Sequence, residues 1–174
     1  PNPKMEAIFP LEAMGCTAEN LVDQYSISRE DQDAFALGSH QKALQAWEAG
    51  AFADEVLPVS VPQRKRDPIV VDRDEGPRSD TSLERLAKLR AAFRKDGSVT
   101  AGNSSTLNDG AAGLLVASAA AVARFGLTPM GRVVATGTAG VDPTVMGIGP
   151  APATRKALAK AGWTVDDLDL VELN

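Results

Sequence analysis

From Asp109 onward the chain is built from small and apolar residues, and this run constrains the fold more than any other feature. "AAGLLVAS" (Ala111 to Ser118) reads as a fully buried strand, and a short helix follows from Ala119 to Phe125. "GRVVATGTAG" (Gly131 to Gly140) reads as a second strand. "APATRKALAKAG" (Ala151 to Gly162) reads as a helix closed by its glycine, and "DLDLVELN" (Asp167 to Asn174) as a third strand. Strand, helix and strand joined by short loops make a βαβ unit, which predicts a mainly parallel, buried sheet.

The first hundred residues have a different character. Thr17 is placed to cap a short helix through Tyr25. Ser28 caps a longer one, with Glu30, Asp31 and Asp33 near the positive end of its dipole. That helix is expected to run to about Ala49 and to stop at Gly50. Ala36, His40, Ala43 and Trp47 fall on one of its faces. Glu55 to Val61 alternates like a strand, with Pro58 confining it to an edge or a bulge. "QRKRD" (Gln63 to Asp67) is a basic turn, "PIVVD" (Pro68 to Asp72) a further strand, and "RDEGPRSD" (Arg73 to Asp80) a loop. Thr81 and Glu84 have capping-box spacing for a helix through Arg90.

Charge and composition exclude several classes. The 174 residues carry a net charge of −5, which disfavours non-specific binding to nucleic acid or an anionic membrane. No apolar run reaches the roughly 18 residues that a membrane span needs, and no signal peptide is visible. Cys16 is the one cysteine, so neither a disulfide framework nor a cysteine metal cluster is expected, and a cytoplasmic setting fits. No metal site is expected. His40 has no Ser, Cys or metal-ligand partner at a motif spacing, which leaves it as a packed or half-exposed helix histidine.

The stretch "TAGNSSTLNDGAA" (Thr100 to Ala112) carries a further local signal, at the junction of these two regions. Asn103, Ser104, Ser105 and Thr106 are side chains that bond to nearby backbone, and Gly102 and Gly110 permit close approach of another chain. Two readings stand on these residues alone. One is a polar connection between modules. The other is a loop that presents hydroxyls and backbone to an extended polar ligand.

Several stretches together resemble the thiolase family, the acyl-CoA acetyltransferases that cleave or form 3-ketoacyl-CoA. They are "MGCTAENL" (Met14 to Leu21), "SREDQDAFALGSHQKA" (Ser28 to Ala43), "LAKLRAAFRKDGSVTAGNSSTLNDGAA" (Leu86 to Ala112), "GVDPTVMGIGPAPATRKAL" (Gly140 to Leu158) and "DLDLVELN". The resemblance implies an α/β fold, the thiolase-like αβαβα sandwich, of which this chain holds only the loop domain and adjoining parts of the two halves. Residues 1–107 would be the loop domain that covers coenzyme A. Residues 108–127 would end the N-terminal half, and 128–174 would begin the C-terminal half.

Site residues follow from the same resemblance. Ser105 matches the serine that bonds the pantetheine arm, and Ala101 and Leu107 match residues lining its tunnel. Arg78 matches a basic residue near the nucleotide end. Phe93, Met14 and Met146 match apolar contacts to the coenzyme and the acyl pocket. Asn174 matches the Asn of the "NEAF" motif, which in the family holds a water that stabilises the enolate oxygen of the thioester. The nucleophilic Cys, the "HPxG" His and the second, acid/base Cys find no counterpart here. Cys16 and His40 fall outside those motifs.

The implied chemistry is two-step acyl transfer through an acyl-cysteine, either thiolysis of a 3-ketoacyl-CoA or condensation of acetyl-CoA units. Coenzyme A and acyl-CoA are then substrates, with no covalently bound cofactor. The expected partners are the rest of a thiolase chain and further copies in a homodimer or homotetramer. This piece alone is expected to be inactive, because it would supply coenzyme binding and one oxyanion donor. Ala13 stands where the biosynthetic short-chain members carry a His. "PLEAMGCTAENL" and "DEGPRSDTSLERLAKL" look closer to degradative 3-ketoacyl-CoA or β-ketoadipyl-CoA members. The non-catalytic alternative is a thiolase-like coenzyme- or lipid-binding protein of the sterol-carrier type.

Overall fold

The computed structural model describes residues 2–174. They form two compact units. One is Ala13–Thr106, and the other joins the segment ending at Glu12 to Leu107–Asn174.

Three helices and a hairpin make up the Ala13–Thr106 unit. Helix α2 spans Met14–Tyr25, α3 Arg29–Glu48 and α4 Leu83–Ala87. Ser28 caps α3 as its sequence position predicts, accepting the Asp31 amide on its hydroxyl at 3.0 Å. The helix ends at Glu48, and Gly50 takes the left-handed φ of 70° that lets the chain turn away. Two caps differ from expectation. Thr17 lies inside α2 rather than before it, and its hydroxyl donates back to the Met14 carbonyl at 2.7 Å. Ser82, not Thr81, caps α4, which ends at Ala87 rather than Arg90.

Strands β1 (Val59–Val61) and β2 (Ile69–Val71) pair antiparallel, with Val59 opposite Val71 and Val61 opposite Ile69. β1 is shorter than the alternating run from Glu55. It starts directly after Pro58, which has no N–H to give a ladder.

The centre of this unit is unusually polar. Leu86 and Val99 are its buried apolar residues, alongside buried Thr17, Glu19, Asp33 and Thr100. Such groups are tolerated in an interior only when hydrogen-bonded, and each of them is. α3 packs on α4.

The second unit contains α1 (Pro3–Glu6), α5 (Ala119–Phe125), α6 (Pro150–Ala161) and two 3-10 turns, Pro143–Ile148 and Val165–Asp167. α5 has the bounds read from the sequence. α6 closes at Gly162 with φ 72°, also as read. The three expected strands of this region are corrected: among the described residues, Ala111–Ser118, Gly131–Gly140 and Asp167–Asn174 have no ladder partner. Leu114, Leu115 and Val116 are 93%, 83% and 83% exposed, not buried. Apolar runs encode a preference for burial, but a strand exists only when another strand takes up its N–H and C=O groups. Among the described residues no helix is long and apolar enough to cross a membrane.

Candidate ligand-binding cleft

A cleft opens inside the Ala13–Thr106 unit, between α3, the loop before α4, α4 itself and the loop 98–106. One lobe has a volume of about 450 Å³ and is lined by Arg78, Asp80, Arg85, Leu86, Leu89, Ala101 and neighbouring residues. A second lobe of about 350 Å³ is lined by Phe35, Ala36, Ser39, Asn103 and Ser105 among others. His40, Gly76, Gly102, Ser104 and Thr106 border both lobes.

The loop that forms one wall is built on a buried carboxylate. Glu19 of α2 is 1% exposed. Its Oε1 accepts the amides of Val99 at 2.8 Å and Ser98 at 2.9 Å, and its Oε2 accepts the Ser98 hydroxyl at 3.2 Å. Thr100, fully buried, then organises the turn that follows. Its hydroxyl accepts the amides of Gly102 at 3.1 Å and Asn103 at 3.3 Å, and its carbonyl accepts the Ser104 hydroxyl at 2.6 Å. Asn103 closes the turn by accepting the Thr100 amide on Oδ1 at 2.7 Å. These inward bonds use the Thr100, Asn103 and Ser104 side chains. Ser105 is exposed at the cleft.

Glycines in this unit are set by close approach. A Cβ on Gly97 would overlap the Glu19 carboxylate, and one on Gly102 would lie 2.5 Å from Leu89 Cδ1 and 2.6 Å from Leu86 Cδ2. Gly102 therefore lets the loop come down on the apolar wall from α4.

The opposite end of the cleft is charged. Arg78 and Arg85 both bind Asp80, Arg78 through two bonds of 3.1 Å and Arg85 through one of 2.5 Å. The hydrogen bond from Arg78 holds the Asp80 carboxyl down at about 2, with the charges of Arg78 and Arg85 adding to it. Arg78 is correspondingly raised above its ordinary value, first by its bond to Asp80. Two guanidiniums around one carboxylate leave a net positive charge on a solvent-open rim, which suits an anionic group. His40 ties this rim to α3, because its Nδ1 accepts the Arg78 backbone amide at 3.2 Å.

Of the residues singled out in the sequence, the cleft gathers Arg78, Ala101 and Ser105. Met14 and Phe93 lie elsewhere in the same unit. Met14 is 73% exposed at the start of α2, and the Phe93 ring covers Gly15. Leu107, Met146 and Asn174 belong to the second unit, where all three are exposed. His40, Asp80 and Arg85 were missed as cleft residues. His40 shares a helix face with Ala36 and Ala43, which was visible, but its partner is 38 residues away in sequence.

Exposed hydroxyls, an apolar wall and a cationic rim thus line one cleft of the Ala13–Thr106 unit. Comparison with known proteins adds the family. The family model of the thiolase N-terminal domain matches residues 3–120, and that of the thiolase C-terminal domain matches residues 127–174. The chain belongs to the thiolase family, and its fold is a partial thiolase-like α/β fold. An acetyl-CoA acetyltransferase of Pseudomonas aeruginosa is 58% identical over 161 residues, 92% of this chain and 41% of that protein. A beta-ketoadipyl-CoA thiolase of Acinetobacter baylyi is 49% identical over 173 residues, 99% of this chain and 43% of that protein. The crystal structure of the Bacillus anthracis acetyl-CoA acetyltransferase superposes with a TM-score of 0.87 at 52% identity, over 94% of this chain and 41% of that one. The chain thus spans about two fifths of the length of these relatives.

Proposed function

We propose that this chain is part of an acyl-CoA acyltransferase of the thiolase type, and that the cleft receives coenzyme A. One observation supports this reading most. The cleft brings Arg78 together with Ala101 and Ser105 of a loop more than 20 residues further along the chain, in one concavity with a cationic rim and an apolar wall. The ligand chemistry matches. Pantetheine is a slender arm with two amides, which calls for hydroxyls and apolar contacts, and the nucleotide end is anionic. Ser105 offers a hydroxyl, Leu86 and Leu89 the apolar wall, and Arg78 with Arg85 the positive end. Leu107, Met146, Met14 and Phe93 would add apolar contacts to the coenzyme and acyl pocket in the whole protein. Asn174 would contribute one donor to the oxyanion site, a kind of contact that supplies roughly 2.7–4 kcal/mol of transition-state stabilisation.

The whole enzyme would carry the acyl group on a cysteine outside this sequence and pass it to coenzyme A or acetyl-CoA. It would work in the cytoplasm as a homodimer or homotetramer. The names of the relatives favour this over a sterol-carrier type of lipid binder, since they are acetyltransferases and thiolases.

The test compares two ligands in the full-length protein. Ser105→Ala should weaken both coenzyme A and a pantetheine analogue without the nucleotide, by about 0.5–1.5 kcal/mol for one neutral hydrogen bond. Arg78→Ala should weaken only intact coenzyme A, and more so at low salt, because an exposed charge is screened. Equal loss of the short analogue in both variants, or no loss of coenzyme A in either, refutes the placement.

A further inference from the structure

The cleft has two walls, which meet where Gly102 packs against Leu86 and Leu89, and just beyond them the Ala92 amide donates to the Val99 carbonyl at 2.9 Å. One is the loop 98–106, and the other is the end of α4 with Leu86 and Leu89. Both are tied to the same turn of α3. Arg29 donates from Nε to Asp33 Oδ2 at 2.8 Å, and from Nη2 to the carbonyls of Leu86 at 2.7 Å and Leu89 at 3.1 Å. Asp33 uses its other oxygen, Oδ1, to accept from Asn103 Nδ2 at 3.0 Å, and the same Nδ2 reaches the Ser98 carbonyl at 3.1 Å. Asp33 is 4% exposed.

Each oxygen of this buried carboxylate therefore serves one wall. The Leu86 carbonyl also accepts the Leu89 amide at 2.9 Å, and Arg29 adds a charged donor to it and to the carbonyl of Leu89, two residues past the end of α4. The arrangement needs a guanidinium. Its planar fork meets a carboxylate and two carbonyls at fixed angles, whereas a lysine ammonium is a flexible point charge. Glu19 anchors the loop to α2, but it makes no bond to α4 and cannot set the gap.

We propose that Arg29 and Asp33 are positioning residues, a clamp that fixes the width of the cleft so that it takes a slender amide-bearing arm. The ligand part rests on the coenzyme reading, and the clamp itself does not. Asp33→Asn and Arg29→Lys in the full-length protein test it, the second variant covering the case in which the first fails to fold. Hydrogen exchange is followed at the amides of 98–104 and 85–89. KM for coenzyme A and kcat are measured beside it. Both variants should raise exchange at the two walls together, and KM for coenzyme A should rise about ten-fold for one lost charged hydrogen bond. kcat should stay within about two-fold, since neither residue touches reacting atoms. Faster exchange at one wall alone, or Arg29→Lys matching the parent at both, overturns the clamp. Joint exchange with an unchanged KM overturns its role in setting ligand fit. If Ser105→Ala and Arg78→Ala leave coenzyme A binding intact while the two walls still loosen together, the coenzyme reading falls and the clamp stands.

Discussion

Removing the Glu19 carboxylate should unseat the loop 98–106 more than any other change of its size. The carboxylate is 1% exposed and receives the Ser98 amide, the Val99 amide and the Ser98 hydroxyl. Glu19→Ala leaves two backbone N–H groups without an acceptor. A buried donor left unpaired costs about 1–3 kcal/mol, so the pair should cost roughly 2–6 kcal/mol, before any contribution from the cavity. Glu19→Gln is gentler. One oxygen can still take the Val99 and Ser98 amides, and the Ser98 hydroxyl can turn to accept from the new NH2. What disappears is the charge on two bonds, a difference of about 1 kcal/mol each and so roughly 2 kcal/mol in all. Urea unfolding of the full-length protein, followed by far-UV circular dichroism, reads both as a shift of midpoint at constant slope. The reasoning fails if Glu19→Ala costs less than about 1 kcal/mol, or if Gln and Ala cost the same.

Three further outcomes can be checked. Gly137→Ala should destabilise by about 1–3 kcal/mol through overpacking, because its Cβ would strike the Ala153 carbonyl and the Ala157 amide of α6, and backbone cannot swing aside; an unchanged melting temperature would contradict this. Asp80, held at about 2 chiefly by its hydrogen bond from Arg78, starts from an ordinary value of 3.8. A carboxyl lowered on folding contributes above its unfolded value and loses that contribution as pH falls through the folded one. The Arg78–Asp80–Arg85 cluster should therefore stay intact above pH 3.8 and open as pH drops toward 2, which an NMR titration of the Asp80 carboxyl reads directly; a midpoint at or above 3.8 is the contrary result. Finally, the isolated 174-residue chain exposes Leu114, Leu115, Val116, Val133 and Leu173. It should bind a hydrophobic dye, associate with rising concentration and show no thiolysis of acetoacetyl-CoA; a monomer with a sharp, concentration-independent melt, or detectable turnover, would count against this.

The sequence by itself determined the features that act within one helical turn. Ser28 as the cap of α3, Gly50 and Gly162 as left-handed stops, and the bounds of α5 were legible because a cap or a glycine turn needs only neighbours in the chain. The two short β-branched runs and the basic turn between them were legible for a similar reason, while their antiparallel pairing came from the structure. Ser105, Ala101 and Arg78 were reached through resemblance rather than through spacing, since nothing local says that they share a cleft.

Tertiary structure decided everything that needs a partner from far along the chain. Apolar runs after Asp109 promised strands, but a ladder requires a second backbone, and among the described residues none lies beside them. His40 is the half-buried helix histidine that its face implies, but the Arg78 amide on its Nδ1 comes from 38 residues away. Glu19, Asp33 and Arg29 read as ordinary charged residues of two helices, whose default place is water. Only the fold brings the Ser98 and Val99 amides, the Asn103 amide group and the carbonyls of Leu86 and Leu89 to them. A carboxylate is stable in the interior only when donors from elsewhere replace its water. Charge in the sequence therefore does not tell a solvated side chain from the one on which a ligand loop is built.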